Sequence, residues 1–370
     1  MGFRIKQVLK MAMQHLLLPL VYRFWRLVYR GRKPDLILFA DAHHDQLPFS
    51  MEVIHEELER RGYPVVDAFC DYAKKSMAGS ALHAISFMRL YARARCVFIC
   101  DNFLPVASCA KENGTTVVQL LHSCGLLKKM GYDTTEDIPD YYRGHVYRNY
   151  DLVTVSAPCC VEPLGSAMGQ PEGIVQALGV SRTDRYFDET WHHRCRTRFA
   201  AAYPDLVGKK LILWAPTFRG NAADPHQVGM EALDRLEKIL GPEYHIIRKV
   251  HPHVDGKYHL SNCDIPTEEL FPVVDLLISD YSSVVCEFLL FRKPCVLFAP
   301  DLEEYEKTRG FYVPYDTLSD YIVTDGTELP DQVKRALSDP LSDRVETLRR
   351  YHLGACDGHA TTRILDYIGL

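Results

Sequence analysis

Polar side chains cluster where a predicted buried strand, Leu276–Ser279, passes into an apolar helix. Asp280 follows the strand, and Ser282 and Ser283 open the helix. The free N–H groups and partial positive charge of a helix N-terminus suit a phosphate, and two hydroxyls add donors. Glu287 follows one turn later, where its carboxylate could accept hydrogen bonds from a ribose diol. N-capping by the serines, a turn role for Asp280 and a solvated charge at Glu287 are the open alternatives.

Cations gather at the end of another predicted strand, Tyr244–Val250, where the sequence reads RKVHPHV. Pro252 cannot donate to a strand ladder and stops the strand just after His251. We interpret Lys249 and His251 as groups that neutralise a diphosphate. A lone histidine is more often structural, and His253 is set aside on that ground.

Arg219 follows a third predicted strand, Leu211–Trp214, within the sequence WAPTFRG. A guanidinium can pair with a phosphate through two parallel hydrogen bonds. Arg219 is therefore a candidate phosphate ligand, and a surface arginine on a loop is the alternative.

A histidine also ends a predicted strand in the first half of the chain. His122 follows Thr116–Leu121, Gly125 permits a tight turn, and Lys128 comes next. A histidine at such a position could remove a proton from an acceptor hydroxyl, worth roughly 10²–10⁴ in rate. A strand-end histidine bonded to the backbone is equally compatible with these residues.

The C-terminal sequence DGHATTRI places small residues at the start of a last predicted helix. Small residues allow close approach, so Arg363 could reach the same anion as the other cations. This motif taken alone has little specificity.

The elements that carry these residues form two successive α/β patterns. Short continuous apolar runs alternate with helical stretches, which is typical of parallel sheets buried on both faces. We predict a basic leader at 1–33, one Rossmann-like domain at 34–190 and a second at 191–370, with a C-terminal helix that could cross back. Ligands of such sheets bind beyond the carboxyl ends of the strands, so a cleft between the two domains is expected.

The leader differs from the remainder in charge. It contains eight Lys or Arg and no Asp or Glu, and its apolar residues fall at helical spacing. Pro19 interrupts its longest apolar run, which is too short to span a bilayer. We predict a helix that lies on an anionic membrane surface; a terminal helix packed on its own domain is the alternative.

Composition excludes several classes. The chain has 370 residues, 47% hydrophobic and 25% charged, which argues against disorder or a fibrous repeat. Its net charge of −5 argues against a nucleic-acid partner. The twelve cysteines contain no C-x-x-C pair and are interpreted as reduced, buried thiols. No ligand set for a metal is evident, so neither a metal nor another cofactor is predicted.

Taken together, the motifs resemble the CDP-glycerol glycerophosphotransferase family of teichoic acid primases and polymerases. The matching segments are, in order, LHSCGLLKKMGYD, LGVSRTD, WAPTFRG, KVHPHV, DYSSVVCEF, FAPDLEEYEKTRGFY and DGHATTR. They extend over about residues 115–365. Ser123 stands where the family usually has Gly, and Ser181 where it usually has Pro.

The resemblance implies a two-domain glycosyltransferase-B architecture and transfer of glycerol phosphate from CDP-glycerol to a lipid-linked glycan acceptor, with release of CMP. It implies an acceptor site with His122 as general base, together with Lys128 and Asp133. It implies a donor site whose members are Arg219, Lys249, His251, Asp280, Ser282, Ser283, Glu287 and Arg363, with His251 also catalytic. The expected location is the cytoplasmic face of a bacterial membrane.

Other classes remain open. CDP-ribitol could replace CDP-glycerol, and a sugar-nucleotide glycosyltransferase or epimerase could use the same fold. A membrane-bound scaffold without activity would bind no nucleotide.

Overall fold

A computed structural model describes residues 3–138, 142–221 and 224–370, apart from the side chains of residues 3–7, Asn221 and His253. The chain forms two compact units. The first unit contains residues 1–122, 130–184 and 355–370, and the second contains 123–129 and 185–354. The predicted domain boundary lies after residue 190, whereas the chain passes into the second unit after Asp184.

The first unit is built on a six-stranded parallel sheet in the order β2-β1-β3-β4-β5-β6. Its strands are β1 (Leu36–Asp41), β2 (Val65–Phe69), β3 (Ala94–Ile99), β4 (Thr116–Gln119), β5 (Leu152–Thr154) and β6 (Val175–Gln176). Its helices are α1 (Phe3–Ala12), α2 (Leu18–Val28), α3 (Phe49–Arg60), α4 (Met77–Tyr91), α5 (Leu104–Ala107), α6 (Val161–Met168) and the C-terminal α15 (Ala360–Tyr367).

The second unit contains a five-stranded parallel sheet in the order β10-β7-β11-β12-β13, and a hairpin of β8 and β9. The strands are β7 (Lys210–Trp214), β8 (Arg219–Asn221), β9 (Asp224–His226), β10 (Tyr244–Arg248), β11 (Leu276–Ser279), β12 (Cys295–Phe298) and β13 (Tyr321–Val323). The helices are α7 (Glu189–Ala202), α8 (Met230–Leu240), α9 (Pro252–Tyr258), α10 (Thr267–Leu270), α11 (Val284–Phe288), α12 (Leu302–Thr308), α13 (Leu329–Ser338) and α14 (Asp343–Leu353).

Apolar strand residues form the core of each unit. In the first, Ile37, Phe39 and Phe98 are buried against α3, and Ile364 of the C-terminal helix packs into the same cluster. In the second, strand residues such as Trp214 are buried against the apolar faces of α8 and α13. The predicted parallel α/β architecture is therefore confirmed, because both faces of each sheet are covered as the apolar runs require.

The leader folds as α1, a π-helical turn at Met13–Leu17, and α2. Helix α2 packs on the first unit: the Tyr22 and Tyr91 rings lie 5.2 Å apart, and Arg26 donates to the carbonyl of Ala92 (2.9 Å). Tyr22 also accepts the N–H of Glu112 (3.1 Å). One face of α2 is thus packed on its own domain, as the alternative interpretation of the leader proposed. In the part of the chain that the structure describes, no helix has the length and apolar character needed to cross a membrane.

Candidate functional site

His122 lies just beyond the carboxyl end of β4, in a backbone turn that is held from two sides. Leu121 adopts a φ of 58°, an uncommon conformation for a branched residue. The buried side chain of Gln119 accepts the N–H of Leu121 (3.1 Å), and buried Arg182 donates to the carbonyl of His122 (2.7 Å). The turn directs the imidazole outward, and 57% of it is exposed.

The hydrogen bonding of His122 defines its tautomer. Its Nδ1 lies 3.2 Å from the carbonyl oxygen of Cys100. A carbonyl can only accept, so Nδ1 carries the hydrogen and Nε2 is left as the basic nitrogen. The alternative interpretation, a histidine bonded to the backbone, is therefore true of His122. The same bond orients the ring as a general base would require. That role stays a prediction.

The neighbouring strand β1 ends in a carboxylate that organises the next loop. Asp41 is buried and accepts the N–H groups of His43 (2.6 Å) and His44 (2.9 Å), as well as His44 Nδ1 (2.9 Å). Burial alone would raise the pKa of Asp41, but the hydrogen bonds from His44 and His43 outweigh it and lower the pKa. The same bond to Asp41 raises the pKa of His44.

Lys128 follows His122 in sequence but lies in the second unit, to which residues 123–129 belong. Its proposed contact with an acceptor stays a prediction. Gly125, at a φ of 76°, turns the chain, and a β-carbon there would collide with the Cys286 side chain. Lys128 then pairs in a β-bridge with Phe311. The buried imidazole of His352 accepts the N–H of Leu126 (3.2 Å) and fixes the segment.

Asp133 lies in the first unit, as expected for an acceptor residue, and contacts α6. It accepts the hydroxyl hydrogen of Ser166 at 3.0 Å. The structure therefore shows Asp133 bracing a helix, and its proposed contact with an acceptor stays a prediction.

Arg363 was predicted to join the donor site from a C-terminal helix that could cross back, and its donor contact stays a prediction. It lies in the first unit, where its guanidinium pairs with Asp357 (2.8 Å) and donates to the carbonyls of Leu178 (3.0 Å) and Ala355. Asp184 accepts two backbone N–H groups from the first turn of α15 (2.9 and 2.7 Å). The DGHATTR motif thus fastens the C-terminal tail to the first sheet.

Arg219 and Asp280 form an interlocked group at the carboxyl ends of β7, β11 and β12. Arg219 donates to Asp280 (2.9 Å) and, through two nitrogens, to Asp301 (2.6 and 2.9 Å). Asp280 also accepts the backbone N–H groups of Thr217 (2.7 Å) and Tyr281 (2.6 Å). The three strands are neighbours in the sheet, so their ends bring these charges together.

Aromatic rings enclose this group, which we name the arginine cage: Arg219, Asp280, Asp301, Tyr281 and Tyr305. The two tyrosine rings stack with centroids 3.8 Å apart, and the guanidinium lies 4.7 Å from the Tyr281 ring. Burial alone would lower the pKa of Arg219, but the bonds to Asp301 and Asp280 raise it. For Asp301 burial would raise the pKa, and Arg219 lowers it. The cage holds three loops together, and phosphate binding by Arg219 stays a prediction.

The serines precede a short helix. Helix α11 ends at Phe288 and continues as a 3₁₀ turn, Leu289–Phe291. Ser283 makes no side-chain cap bond, and the Ser282 hydroxyl lies 3.5 Å from the N–H of Val284. Capping therefore does not account for the hydroxyl of Ser283, and phosphate contact by both serines stays a prediction.

Glu287 is not a solvated helix charge. It is 2% exposed and accepts the hydroxyl hydrogen of Tyr186 at 2.7 Å. Tyr186 packs among the rings of Phe271 and Phe291. Its proposed contact with a ribose stays a prediction.

The cations at the end of β10 point to different partners. Arg248 pairs with Asp234 and Glu237 of α8 (2.8 Å each), and Lys249 donates to the carbonyl of Cys263 (2.9 Å). The strand stops at Arg248 rather than Val250, and α9 begins at Pro252. Between the strand and the helix, the His251 ring packs against Phe218 at an interplanar angle of 40°, with ring centroids 4.5 Å apart. His253 has its side chain outside the described residues.

Sequence reasoning missed several residues of these strand ends. Asp101 and Gln119 beside His122 received no role, although a lone glutamine in an apolar strand was a visible signal. Asp301 was quoted within a motif without a function. The Thr217 hydroxyl is buried and has no hydrogen-bond partner among the described residues. The residues that the structure describes contain no group of three or more His, Cys, Asp or Glu side chains arranged to hold a metal.

Solved structures define the class of this fold. The wall teichoic acid polymerase TagF aligns with a TM-score of 0.73 at 21% identity, over 95% of this chain and 93% of that one. S. aureus MnaA in a structure with UDP aligns with a TM-score of 0.56 at 15% identity, over 90% and 96%. The two parallel sheets thus form a glycosyltransferase-B architecture, as the sequence predicted.

Residues 21–370 match the family described as CDP-glycerol:poly(glycerophosphate) glycerophosphotransferase, and the chain belongs to that family. It is 29% identical to the teichoic acid ribitol-phosphate primase of Bacillus spizizenii, over 90% of both chains. It is 31% identical to the teichoic acid poly(ribitol-phosphate) polymerase of that species, over 91% of this chain and 56% of the polymerase. Identity to the teichoic acid glycerol-phosphate primase of Bacillus subtilis is 29%, over 68% and 67%. The resemblance seen in the motifs is confirmed.

Proposed function

We propose that this protein transfers a polyol phosphate from a CDP-linked polyol to a hydroxyl of a lipid-linked acceptor and releases CMP, in the synthesis of teichoic acid or a related surface polymer. Family membership supports the reaction class. The observation that carries the proposal is the half-exposed ring of His122, whose Nδ1 is bonded to a backbone carbonyl, so that Nε2 carries the free lone pair.

In this reaction the acceptor oxygen attacks the phosphorus next to the polyol. A new P–O bond forms, the bond to the CMP oxygen breaks, and CMP leaves with the negative charge. The proton of the acceptor hydroxyl passes to His122 Nε2. General-base help of this kind is worth roughly 10²–10⁴ in rate.

The donor diphosphate is assigned to the strand ends of the second unit. His251, Lys249 and the backbone N–H groups around Ser282 and Ser283 are the proposed contacts, with Glu287 toward the ribose. Groups fixed before the reaction stabilise developing charge without rearranging, and such fixed donors often contribute most of the acceleration. The arginine cage holds the loop of Thr217 and the end of β11 in place for these contacts.

Two polyols are candidates. The motifs predicted CDP-glycerol as donor. The similarity to the ribitol-phosphate primase extends over 90% of both chains, which favours CDP-ribitol as the second candidate.

The reaction is tested by incubating the protein with CDP-glycerol, CDP-ribitol or UDP-N-acetylglucosamine and a synthetic lipid-linked disaccharide. We expect CMP and a product heavier by one polyol phosphate, resolved by mass spectrometry, with one of the two CDP-polyols. Release of UDP, or epimerised sugar nucleotide, would show instead a glycosyltransferase or an epimerase. Absence of any nucleotide product and of any nucleotide-dependent thermal shift would support a scaffold.

We also propose that α2 places the protein on the cytoplasmic face of the membrane, where a lipid-linked acceptor would be reached. Opposite the face packed on the first unit, Leu20, Phe24 and Leu27 are more than half exposed. Exposed Arg23 and Arg30 lie on the same helix and just after it. An exposed apolar stripe beside basic residues is typical of a helix that lies in an anionic interface.

Sedimentation with vesicles of phosphatidylcholine, with and without phosphatidylglycerol, tests this placement. We expect binding that requires the anionic lipid and is lost in the triple variant Leu20→Ser, Phe24→Ser, Leu27→Ser. The matched control replaces Val207 and Ile239, which are exposed apolar residues of the second unit, by serine. Equal binding of both variants would contradict the proposal.

A further inference from the structure

Three neighbouring strands of the first sheet bring a carboxylate between two histidines. Asp101 follows β3, His43 follows β1, and His122 follows β4. Asp101 Oδ2 lies 3.7 Å from His122 Nδ1 and 3.6 Å from His43 Nε2. Since β3 lies between β1 and β4 in the sheet, a residue at its carboxyl end has the ends of both neighbours beside it.

The buried side chain of Gln119 fixes the carboxylate and the imidazole in one arrangement. Its amide nitrogen donates to the carbonyl of Asp101 (3.1 Å), and its oxygen accepts the N–H of Leu121, directly before His122. The Asp101 side chain is held in turn by the N–H of Asn102 (2.7 Å). A strained, over-determined turn of this kind is frequent where a side chain must be aimed.

The distances separate two effects on His122. The Cys100 carbonyl, at 3.2 Å, holds the hydrogen of Nδ1 and sets the tautomer. Asp101, at 3.7 Å from the same nitrogen, is too far for a good hydrogen bond but near enough for charge attraction. A carboxylate there stabilises the imidazolium that forms once Nε2 has taken a proton.

We propose that Asp101 is a positioning residue for His122, which stabilises the protonated ring, and that His43 holds the Asp101 carboxylate from its other side. This inference rests on the proposed general-base role of His122. Among the described residues of the first unit, His43 lies beside the Asp101 carboxylate, and Arg182 donates to the His122 carbonyl. The charge of Asp101 also acts on Cys100, His44, Tyr147 and Tyr150.

The kinetic test measures CMP release by Asp101→Asn, Asp101→Ala and Asp101→Glu. We expect kcat to fall on the order of 10–100-fold in the first two with little change in KM for the CDP-polyol, and to recover in part in Asp101→Glu. Asp45→Asn is the matched control, because Asp45 lies in the loop after β1 and contacts Lys75 and the N–H of Asp71. His43→Gln should lower kcat less than Asp101→Asn.

A double variant distinguishes positioning from general structural damage. In the His122→Gln background, Asp101→Asn should cause no further loss, since its partner is already absent. Full additivity, or a kcat of Asp101→Asn within twofold of wild type, would overturn the proposal.

A readout without activity keeps this proposal separate from the proposed function. In histidine-selective ¹⁵N NMR of the wild type, His122 should show the Nδ1–H tautomer, and Asp101→Asn should shift the Nδ1 resonance of its ring, whereas Asp45→Asn should not. If CMP is never released but this shift is found, the pair stands and the reaction assignment fails. An unchanged Nδ1 resonance of His122 in Asp101→Asn would refute the pair whatever the reaction.

Discussion

The carboxyl ends of the two sheets use charge in opposite ways. In the first unit, the side chains of His122, Asp101 and His43 are each at least 40% exposed. The Asp101 carboxylate lies 3.6 Å from a ring nitrogen of His43 and 3.7 Å from one of His122. In the second, Arg219 and Asp280 are at most 10% exposed and are joined by short hydrogen bonds. Charges that solvent still reaches are available to a substrate, whereas charges that satisfy one another hold loops in place.

Removing the exposed base should have the largest effect. His122→Gln is expected to lower kcat by roughly 10²–10⁴ while CDP-polyol affinity, measured by calorimetry, stays near the wild-type value. His145→Gln, a histidine of the same unit whose ring contacts the carbonyl of Gly169, is the control. Collapse of donor affinity in His122→Gln would instead assign this histidine to donor binding.

Breaking the arginine cage should mainly cost stability. Arg219→Met leaves the buried carboxylate of Asp280 and the partly buried carboxylate of Asp301 without their cation, and we expect the free energy of unfolding to fall by about 3–5 kcal/mol. Arg248→Met is the matched control, because Arg248 also pairs with two carboxylates, but those are half exposed. The control should lose about 1 kcal/mol or less in urea unfolding. Equal losses would show that the cage contributes no more than a surface ion pair.

The buried imidazole that holds residues 123–129 should make stability depend on pH. Burial lowers the pKa of His352 to about 4, below the ordinary 6.5. Between these values the unfolded chain binds a proton that the folded chain does not, so stability falls as pH is lowered from 6.5 to 4, by up to about 3 kcal/mol. His352→Asn should flatten this dependence in thermal unfolding. Exposed His193→Asn should leave the slope unchanged, and an unaltered slope in His352→Asn would contradict the prediction.

The smallest effect is expected at Glu287. Tyr186→Phe removes the hydroxyl that donates to this buried carboxylate and should lower the free energy of unfolding by about 1–3 kcal/mol. Tyr321→Phe, whose hydroxyl donates to exposed Asp339 (3.1 Å), should cost less. Loss of CDP affinity in Tyr186→Phe without loss of stability would place Tyr186 in contact with the ligand instead.

Much of the fold could be predicted because parallel strands leave continuous apolar runs. Strand β11 begins and ends at the predicted residues, Leu276 and Ser279. The ends of the strands were predicted less accurately. Strand β4 stops at Gln119, because the Gln119 side chain, rather than a neighbouring strand, accepts the N–H of Leu121. For the candidate site, the sequence predicted which types of residue lie at the strand ends. It did not predict the hydrogen-bond and ion-pair partners of those residues.

The sequence by itself determined the two parallel sheets, the family and the positions of polar residues beyond the strands. These features depend on apolar periodicity and on the order of motifs, which are local properties of the sequence. Only the tertiary structure decided which of those residues meet. It assigned Lys128 to the second unit and Arg363 to the first, enclosed Arg219 between Asp280 and Asp301, and placed Asp101 beside His122. These outcomes depend on the strand order and on where the chain crosses between the units. Both bring together residues that are far apart in sequence, and no local sequence pattern encodes such contacts.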